Sequence, residues 1–406
     1  MSPDDSPAQT AQPGAAPAGA TTEPRPAGDG APSTRGLEGV VVAQTRISTI
    51  DGVAGKLSYR GYDIHDLAER SSFEETAFLL WEGRLPSRAE LAELREALRR
   101  ERRLPAGVEA ILDATPRDAA PMAVLRTLVS ALALHDPSAD DISPGSLRGK
   151  AVRLTAQIAT MLAGFQRRRE GKPRLEPRDD LDHAGNLLYL LTGRVPTPEE
   201  ARILDVCLVL HADHGFNAST FAARVTVATL SDAYSGVTSA LGTLKGPLHG
   251  GANEAVMRML LEIDERGAEP EAAVRERLER REKISGFGHR VYKTEDPRAT
   301  HLRRFSRELG EARGDTRWYD LSQRIERLMR EEKGLYSNVD FYSATTYHQL
   351  GIPPDLFTPV FAVSRITGWT AHILEQLGDN RLIRPRSEYV GARNLDYVPL
   401  EARPAG

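Results

Sequence analysis

Four short segments of the chain carry side chains that could move protons, and three of them hold histidine in a polar or glycine-rich setting. The segments are His211-Ala-Asp-His214, Gly246-Pro-Leu-His249, Gly286-Phe-Gly-His289 and Asn338-Val-Asp340. Glycine allows the main chain to approach a ligand closely, and a neutral imidazole can donate or accept a proton near pH 7. Burial raises the pKa of a carboxylate, which would make Asp340 a better base for a carbon acid. The segments therefore favour acid–base chemistry.

Arginines accompany these segments in the second half of the chain. Arg298 follows the third segment, and Arg365 and Arg384 follow the fourth. The planar guanidinium group matches a carboxylate through two parallel hydrogen bonds. Histidines, one carboxylate and several arginines together predict proton chemistry on a substrate that is itself poly-anionic.

The same segments do not favour a metal site or a dinucleotide site. His211 and His214 could share a helix face, but a zinc site needs a third ligand and often a glutamate, as in H-E-x-x-H. The run from Gly286 to Gly288 resembles the start of a dinucleotide-binding turn. Its third glycine is missing, however, and a highly charged stretch precedes it where an apolar strand would be needed. The sequence therefore predicts neither metal ligands nor a Rossmann turn.

Length, charge and cysteine content bound the class of protein. The 406 residues are ample for a large core, and the net charge of -4 gives no global attraction to nucleic acid or an anionic membrane. The single cysteine, Cys207, fits a reducing compartment, and its apolar surroundings predict a buried structural thiol. No apolar run reaches the length of a membrane span, and no signal peptide is visible. We expect a cytoplasmic enzyme without a nucleic-acid or membrane partner.

Helices must position most of these segments. Thr197-Pro-Glu-Glu200 is the clearest helix start, and its helix should carry the first histidine segment at its C-terminal end. Ser72 and Ser87 begin further capping boxes of the S-x-x-E type. Short β-like runs occur at 40–42 and 56–62, and strand signals are sparse afterwards. The sequence predicts an all-α fold with a small β element near the N-terminus.

Two stretches differ in composition from the rest of the chain. Residues 1–34 contain 19 Ala, Pro or Gly residues, and such a tail cannot bury enough apolar surface to offset the entropy of ordering, so we expect it to be disordered. Within residues 264–335, the runs 271–283 and 303–333 alternate acidic and basic side chains, which is typical of solvated helix faces. Their lower apolar content predicts a smaller, more exposed domain.

Taken together, these segments closely resemble the citrate synthase family from Gly36 to about Arg403, in the family's order. The run Tyr59-Arg-Gly-Tyr62 resembles the opening of the shorter bacterial and archaeal type. The resemblance implies an all-α, two-domain fold in a homodimer. The large domain would comprise residues 35–263 plus 367–406, and the small domain residues 264–366. The tail of residues 1–34 lies outside the resemblance.

The resemblance also implies roles for individual residues. Asp340 would remove a proton from the methyl group of acetyl-CoA, and His249 would hydrogen-bond the thioester oxygen. His289 would hydrogen-bond the carbonyl of oxaloacetate and supply its proton, after which citryl-CoA would be hydrolysed to citrate and CoA. The implied oxaloacetate-binding residues are His214, Arg298, Arg365 and Arg384, with Arg384 contributed across the dimer interface. The implied CoA-binding residues are Gly286, Phe287, Gly288 and Lys293. CoA thioester would be a co-substrate, with no permanently bound cofactor.

Two alternatives stay open beside an acyltransferase that forms citrate. A 2-methylcitrate synthase using propionyl-CoA needs the same residues, and one extra methylene in the acyl pocket is worth only about 1–3 kcal/mol. A non-catalytic paralogue that binds acyl-CoA would not need the base Asp340. The remaining histidines are expected to be structural or surface residues: His65, His135, His183, His301, His348 and His372.

Overall fold

The computed structural model describes residues 35–37, 39–289 and 291–403. The expected disorder of residues 1–34 falls outside this part of the chain. Among the described residues, those up to Gln44 form one unit and those from Thr45 onward form another. All the candidate site residues belong to the second unit.

The prediction of an all-α fold is confirmed. The part of the chain that the structure describes contains sixteen α-helices. They are α1 Ile64–Arg70, α2 Phe73–Glu82, α3 Arg88–Glu101, α4 Ala106–Ala114, α5 Pro121–Leu132, α6 Pro144–Arg169, α7 His183–Thr192, α8 Pro198–His211, α9 Ala218–Val227, α10 Ala233–Leu244, α11 Ala252–Glu265, α12 Pro270–Glu279, α13 Pro297–Arg313, α14 Arg317–Lys333, α15 Val339–Gln349 and α16 Phe357–Gly378. Short 3-10 helices span Arg35–Leu37, Ala133–His135, Pro354–Leu356 and Leu400–Ala402.

Side-chain caps explain where several of these helices begin. Thr197 and Ser87 each form a full capping box, in which the hydroxyl accepts from the third backbone N–H and the glutamate accepts from the N-cap N–H. At Ser72 only the first of these two bonds forms, so the capping box predicted there is half realised. The helix from Pro198 ends at His211, as predicted, and carries the first histidine segment at its C-terminal end.

The β element is a three-stranded antiparallel sheet in the order β1-β2-β3, formed by Ser48–Asp51, Lys56–Tyr59 and Tyr62–Asp63. Thr49 pairs with Ser58, and Tyr59 pairs with Tyr62. The strand suggested by the β-like pattern at Val40–Val42 does not form, because these residues belong to none of the described strands. Three β-branched residues favour extended backbone, but a strand also needs a pairing partner.

The core of the second unit is built around two long helices. α16 packs against α2, α6, α8, α9 and α10, and α6 also packs against α3, α5 and α7. Cys207 of α8 is fully buried, and desolvation raises the pKa of its thiol, which confirms the structural thiol predicted from the sequence. None of the described helices is long and apolar enough to cross a membrane. The division into large and small domains stays a prediction.

Candidate active site

Two loops that are about fifty residues apart in sequence are joined by backbone hydrogen bonds. The N–H of Gly288 donates to the carbonyl of Tyr336 at 2.9 Å, and the N–H of Asn338 donates to the carbonyl of Gly286 at 2.9 Å. The Asn338 amide also donates to the carbonyl of Gly288 at 2.9 Å. Gly286 has φ of +85°, and a Cβ there would lie 2.8 Å from the Phe341 ring, so glycine is required. The histidine loop is therefore fixed directly to the start of the helix that carries Asp340.

The ring of His289 is held in one tautomer. Its Nδ1 accepts from the backbone N–H groups of Val291 and Tyr292, both at 3.0 Å. Because Nδ1 acts as an acceptor, the neutral ring carries its proton on Nε2. Desolvation lowers the pKa of His289 to about 4, so the ring is neutral at pH 7. The side chain thus presents an Nε2–H donor.

His214 lies beside His289, just beyond the C-terminal end of α8. The two rings are edge-to-face with centroids 5.3 Å apart. His214 Nε2 is 3.2 Å from the hydroxyl of Tyr292. Desolvation, followed by the charge of Arg298, lowers its pKa well below the usual value, so it is also neutral. Two neutral imidazoles can share a site with arginines without adding positive charge.

His249 occupies the turn between α10 and α11. Its Nε2 lies 3.3 Å from the N–H of Ser219, which donates to it, and 2.8 Å from the Ser219 hydroxyl. The indole N–H of Trp369 donates to the same hydroxyl at 3.1 Å. The backbone donor favours an acceptor role for Nε2 and leaves the proton on Nδ1. Desolvation lowers the pKa of His249 to about 4, which keeps this ring neutral as well.

Asp340 lies in the first turn of α15, after the N-cap Asn338, whose side chain accepts from the Asp340 N–H. A helix N-terminus normally favours a charged carboxylate. Desolvation outweighs that effect and the attraction of Arg298, and it raises the pKa of Asp340 to about 6. The result is a carboxylate that is ionised at pH 7 but more basic than an exposed aspartate.

Two arginines are buried at the centre of this region. Arg298 forms a two-pronged ion pair with Asp296, with bonds of 2.9 and 2.8 Å. Arg365 of α16 donates from Nε to the carbonyl of His211 at 2.8 Å and stacks over Phe361. Burial lowers the pKa of Arg365 to about 10, although the charge of Asp213 opposes this shift, and among the described residues Arg365 forms no ion pair within 4 Å. A buried guanidinium without a close counter-ion is costly, so Arg365 is suited to bind an anion.

The charges that shift the pKa values of these residues indicate that the residues lie near one another. The charge of Arg365 acts on the pKa values of His214, His249 and Asp340. The charge of Arg298 acts on those of His214, His289 and Asp340. The structure therefore brings together six of the predicted residues, four of them around the guanidinium groups of Arg298 and Arg365, although the six span about 150 positions in the sequence.

Three of the remaining candidates occupy different surroundings. Phe287 is buried, and its ring lies 4.5 Å from that of Phe341, so it anchors the loop between Gly286 and Gly288. The side chain of Lys293 is exposed, and its charge helps to lower the pKa of His289. Arg384 is exposed in the segment after α16, and it makes no hydrogen bond or ion pair among the described residues. Arg384 is the one predicted oxaloacetate ligand without a contact to the cluster in the part of the chain that the structure describes.

Several partners of the site were not predicted from the sequence. Ser219 contacts His249, Tyr292 contacts His214, and Asp296 binds Arg298. Tyr292 and Asp296 lie between His289 and Arg298 in the sequence. Their position between two predicted site residues could have indicated that they contact the site. Ser219 offered no comparable signal, because its contact with His249 spans thirty residues.

The other histidines are accounted for by contacts elsewhere. His65 and His301 share a 2.8 Å contact between ring nitrogens, and His348 packs edge-to-face on Trp318. His183 and His372 are buried, and His135 is exposed. Within residues 35–37, 39–289 and 291–403, no cluster of three or more His, Cys, Asp or Glu side chains could hold a metal ion.

The chain is similar to known proteins over most of its length. Residues 36–386 match the family described as citrate synthase, C-terminal domain. Citrate synthase of Haloferax volcanii is 53% identical over 373 residues, covering 91% of this chain and 98% of the relative. A 2-methylcitrate synthase of Mycobacterium tuberculosis is 45% identical over 357 residues, covering 88% and 90%. The citrate synthase of Thermoplasma acidophilum, solved with carboxymethyl coenzyme A and oxaloacetate, is similar with a TM-score of 0.85 and 34% identity, covering 91% and 99%.

Proposed function

Since the chain belongs to the citrate synthase family and is a transferase of that type, we propose that it condenses acetyl-CoA with oxaloacetate and hydrolyses citryl-CoA to citrate and CoA. The observation that carries this proposal is the cluster itself. It combines a carboxylate of raised pKa, Asp340, with neutral His249 and His289 and the buried Arg298 and Arg365. A base, two hydrogen-bond donors and cations for carboxylates are what a carbon–carbon condensation on a dianion requires.

The first step activates the acetyl group. Asp340 removes a proton from the methyl carbon of acetyl-CoA, and His249 donates from Nδ1 to the thioester oxygen as negative charge develops there. A preorganised donor in a water-poor site stabilises the enol more than the ground state. The tautomer favoured by the Ser219 N–H supports this role of His249.

The second step forms the bond. The enol carbon attacks the ketone carbon of oxaloacetate, and the ketone oxygen takes the Nε2 proton of His289. The proton that Asp340 removed from the methyl group then returns to the His289 ring through solvent, which restores both groups for the next turnover. His214, Arg298 and Arg365 bind the oxaloacetate carboxylates, and Arg384 completes this set. Water then cleaves the thioester of citryl-CoA and releases citrate and CoA. Gly286, Phe287, Gly288 and Lys293 are proposed to bind CoA, with the main chain of the glycines facing the nucleotide and Lys293 meeting a phosphate.

We further propose the two-domain division at residues 263/264 and 366/367, with closure of the small domain over oxaloacetate. Closure would exclude water from the reacting groups. We also propose that the enzyme acts in the cytoplasm, because a single cysteine suits a reducing compartment.

We propose a homodimer because the C-terminal segment exposes apolar side chains. Beyond α16 several apolar side chains are exposed, among them Val390 at 89% and Tyr397 at 83%. A stretch of exposed apolar side chains indicates a surface that another chain covers. Arg384 lies in this segment, which supports its contribution to the partner's site.

The proposed reaction is tested by following thiol release from acetyl-CoA with and without oxaloacetate. Because Cys207 is buried, a thiol reagent will report free CoA with little background from the protein. Release that depends on oxaloacetate is the expected result. No release with either acetyl-CoA or propionyl-CoA would overturn the assignment and favour the non-catalytic paralogue.

The same assay separates the closest alternative. Because the chain is 45% identical to a 2-methylcitrate synthase, propionyl-CoA is the second candidate substrate. We expect a higher kcat/KM with acetyl-CoA, since the citrate synthase relative is the more similar of the two, at 53%. A higher kcat/KM with propionyl-CoA would reassign the enzyme as a 2-methylcitrate synthase.

The pKa of Asp340 predicts the acid limb of the pH profile. The base must be ionised, so kcat/KM for acetyl-CoA should fall about tenfold per pH unit below about 6. The histidines, with pKa values of about 4, stay neutral in this range and add no second loss. The profile should be measured between about pH 5 and 8, with circular dichroism at each pH to verify folding. A flat profile down to pH 5 would contradict the assignment of Asp340.

A further inference from the structure

The three-stranded sheet contacts the segment that carries His214. The hydroxyl of Ser48 on β1 donates to the Asp213 carboxylate at 2.5 Å and accepts from the N–H of Gly215 at 3.1 Å. The Tyr59 hydroxyl on β2 donates to the carbonyl of Asp213 at 2.9 Å and lies 3.2 Å from the N–H of the same residue. The sheet therefore holds the backbone on both sides of His214.

The turn between β1 and β2 contacts the segment that follows His289. The N–H of Lys293 donates to the carbonyl of Gly52 at 2.8 Å. A Cβ added at Gly52 would lie 2.3 Å from the carbonyl oxygen of Val291, and one at Gly55 would lie 2.7 Å from Thr294. These backbones approach each other so closely that only glycine fits at Gly52.

The contacted segment is the one that orients His289. The N–H groups of Val291 and Tyr292 hold Nδ1 of that ring, and the Tyr292 hydroxyl lies 3.2 Å from His214 Nε2. A displacement of the Val291 carbonyl would therefore move the donors that set the His289 tautomer. It would also move the hydroxyl that meets His214.

We propose that the sheet is a positioning element of the active site. It aligns His214 through Ser48 and Tyr59, and it aligns His289 through the turn at Gly52. This inference rests on the proposed function for its kinetic meaning, because it assumes that both histidines bind oxaloacetate. In this proposal the residues of the sheet do not touch the reacting atoms. They act through the two segments that carry His214 and His289.

Gly52→Ala tests the His289 arm of the proposal. Its added Cβ should displace the Val291 carbonyl while leaving the rest of the core untouched. We expect KM for oxaloacetate to rise and kcat to fall by about tenfold to a hundredfold, since misplacement by about 1 Å has effects of this size. The melting temperature should change little. Val53→Ala is the matched control, because Val53 is in the same turn and 82% exposed. Equal kcat and KM values for the Gly52 and Val53 variants would show that the turn at Gly52 does not position His289.

A spectroscopic measurement makes the result independent of catalysis. With ¹⁵N-labelled histidine, the His289 resonance should report an unprotonated Nδ1 and a protonated Nε2 in the unaltered protein. Gly52→Ala should produce a mixture of tautomers, and Val53→Ala should not. An unchanged tautomer in Gly52→Ala would overturn the inference even if the enzyme is active. If Gly52→Ala shifts the tautomer but the unaltered protein releases no thiol, the proposed function is wrong. The positioning of His289 by the turn at Gly52 would still be supported.

Ser48 provides the second variant in case Gly52→Ala does not fold. Ser48→Ala should raise KM for oxaloacetate by about tenfold, because Asp213 and Gly215 lose their shared hydroxyl. Ser48→Thr keeps the hydroxyl in a residue that suits a strand, so it should restore the unaltered KM. Equal KM values for the Ala and Thr variants would show that the hydroxyl does not position His214.

Discussion

Asp340→Asn is expected to reduce kcat by about 10²–10⁴-fold while the dissociation constant for oxaloacetate stays nearly unchanged. Asparagine keeps the shape of the side chain but cannot accept the methyl proton of acetyl-CoA. In the proposed mechanism Asp340 acts in deprotonation and does not hold the dianion, so the loss should lie in the chemical step. Oxaloacetate binding should be measured by calorimetry and turnover by thiol release.

Asp66→Asn provides the matched control. Asp66 is also in the first turn of a helix, α1, and its side chain is 60% exposed. The substitution removes the same charge from an exposed side chain that makes no contact with the described cluster, so it should leave kcat unchanged. Turnover near the unaltered rate in Asp340→Asn would show that another group is the base. A large loss of oxaloacetate affinity would show that Asp340 acts in substrate binding.

Mixed dimers of Arg384→Ala and Asp340→Asn are expected to regain about a quarter of the unaltered activity. In a two-fold dimer each site would take Asp340 from one chain and Arg384 from the other. Random assembly of equal amounts makes about half of the dimers mixed. In each mixed dimer one site carries both defects and the other carries neither. The two homodimers should be nearly inactive, so the regained activity is read against almost no background.

The control for this experiment pairs two variants whose residues would serve the same site. His249→Ala and Asp340→Asn both remove groups of one chain's cluster, so every site of their mixed dimers keeps one defect. That mixture should show no recovery. If the Arg384→Ala mixture also shows none, although native mass spectrometry detects mixed dimers, then Arg384 serves its own chain and the proposed contribution across the interface is wrong.

Local sequence patterns were sufficient for the helices and for the nature of the chemistry. The capping box at Thr197 fixes the start of α8, because its bonds join residues only three positions apart. Glycine at position 286 could be read as a sign of close backbone approach, and its φ of +85° agrees. The burial of Cys207 could also be predicted locally, because its neighbours in the sequence are apolar. The pattern failed at Val40–Val42, which belong to none of the described strands.

The tertiary structure alone determined how the reactive groups are tuned. The tautomer of His249 depends on Ser219, thirty residues away, and the burial that raises the pKa of Asp340 to about 6 comes from the packed fold around α15. The contact of Gly52 with Lys293 joins residues 241 positions apart, and nothing in a β-turn sequence indicates its partner. Sequence reveals which groups are present and which local conformations they favour. Hydrogen-bond partners and desolvation depend on distant parts of the chain, so they arise only when those parts pack together.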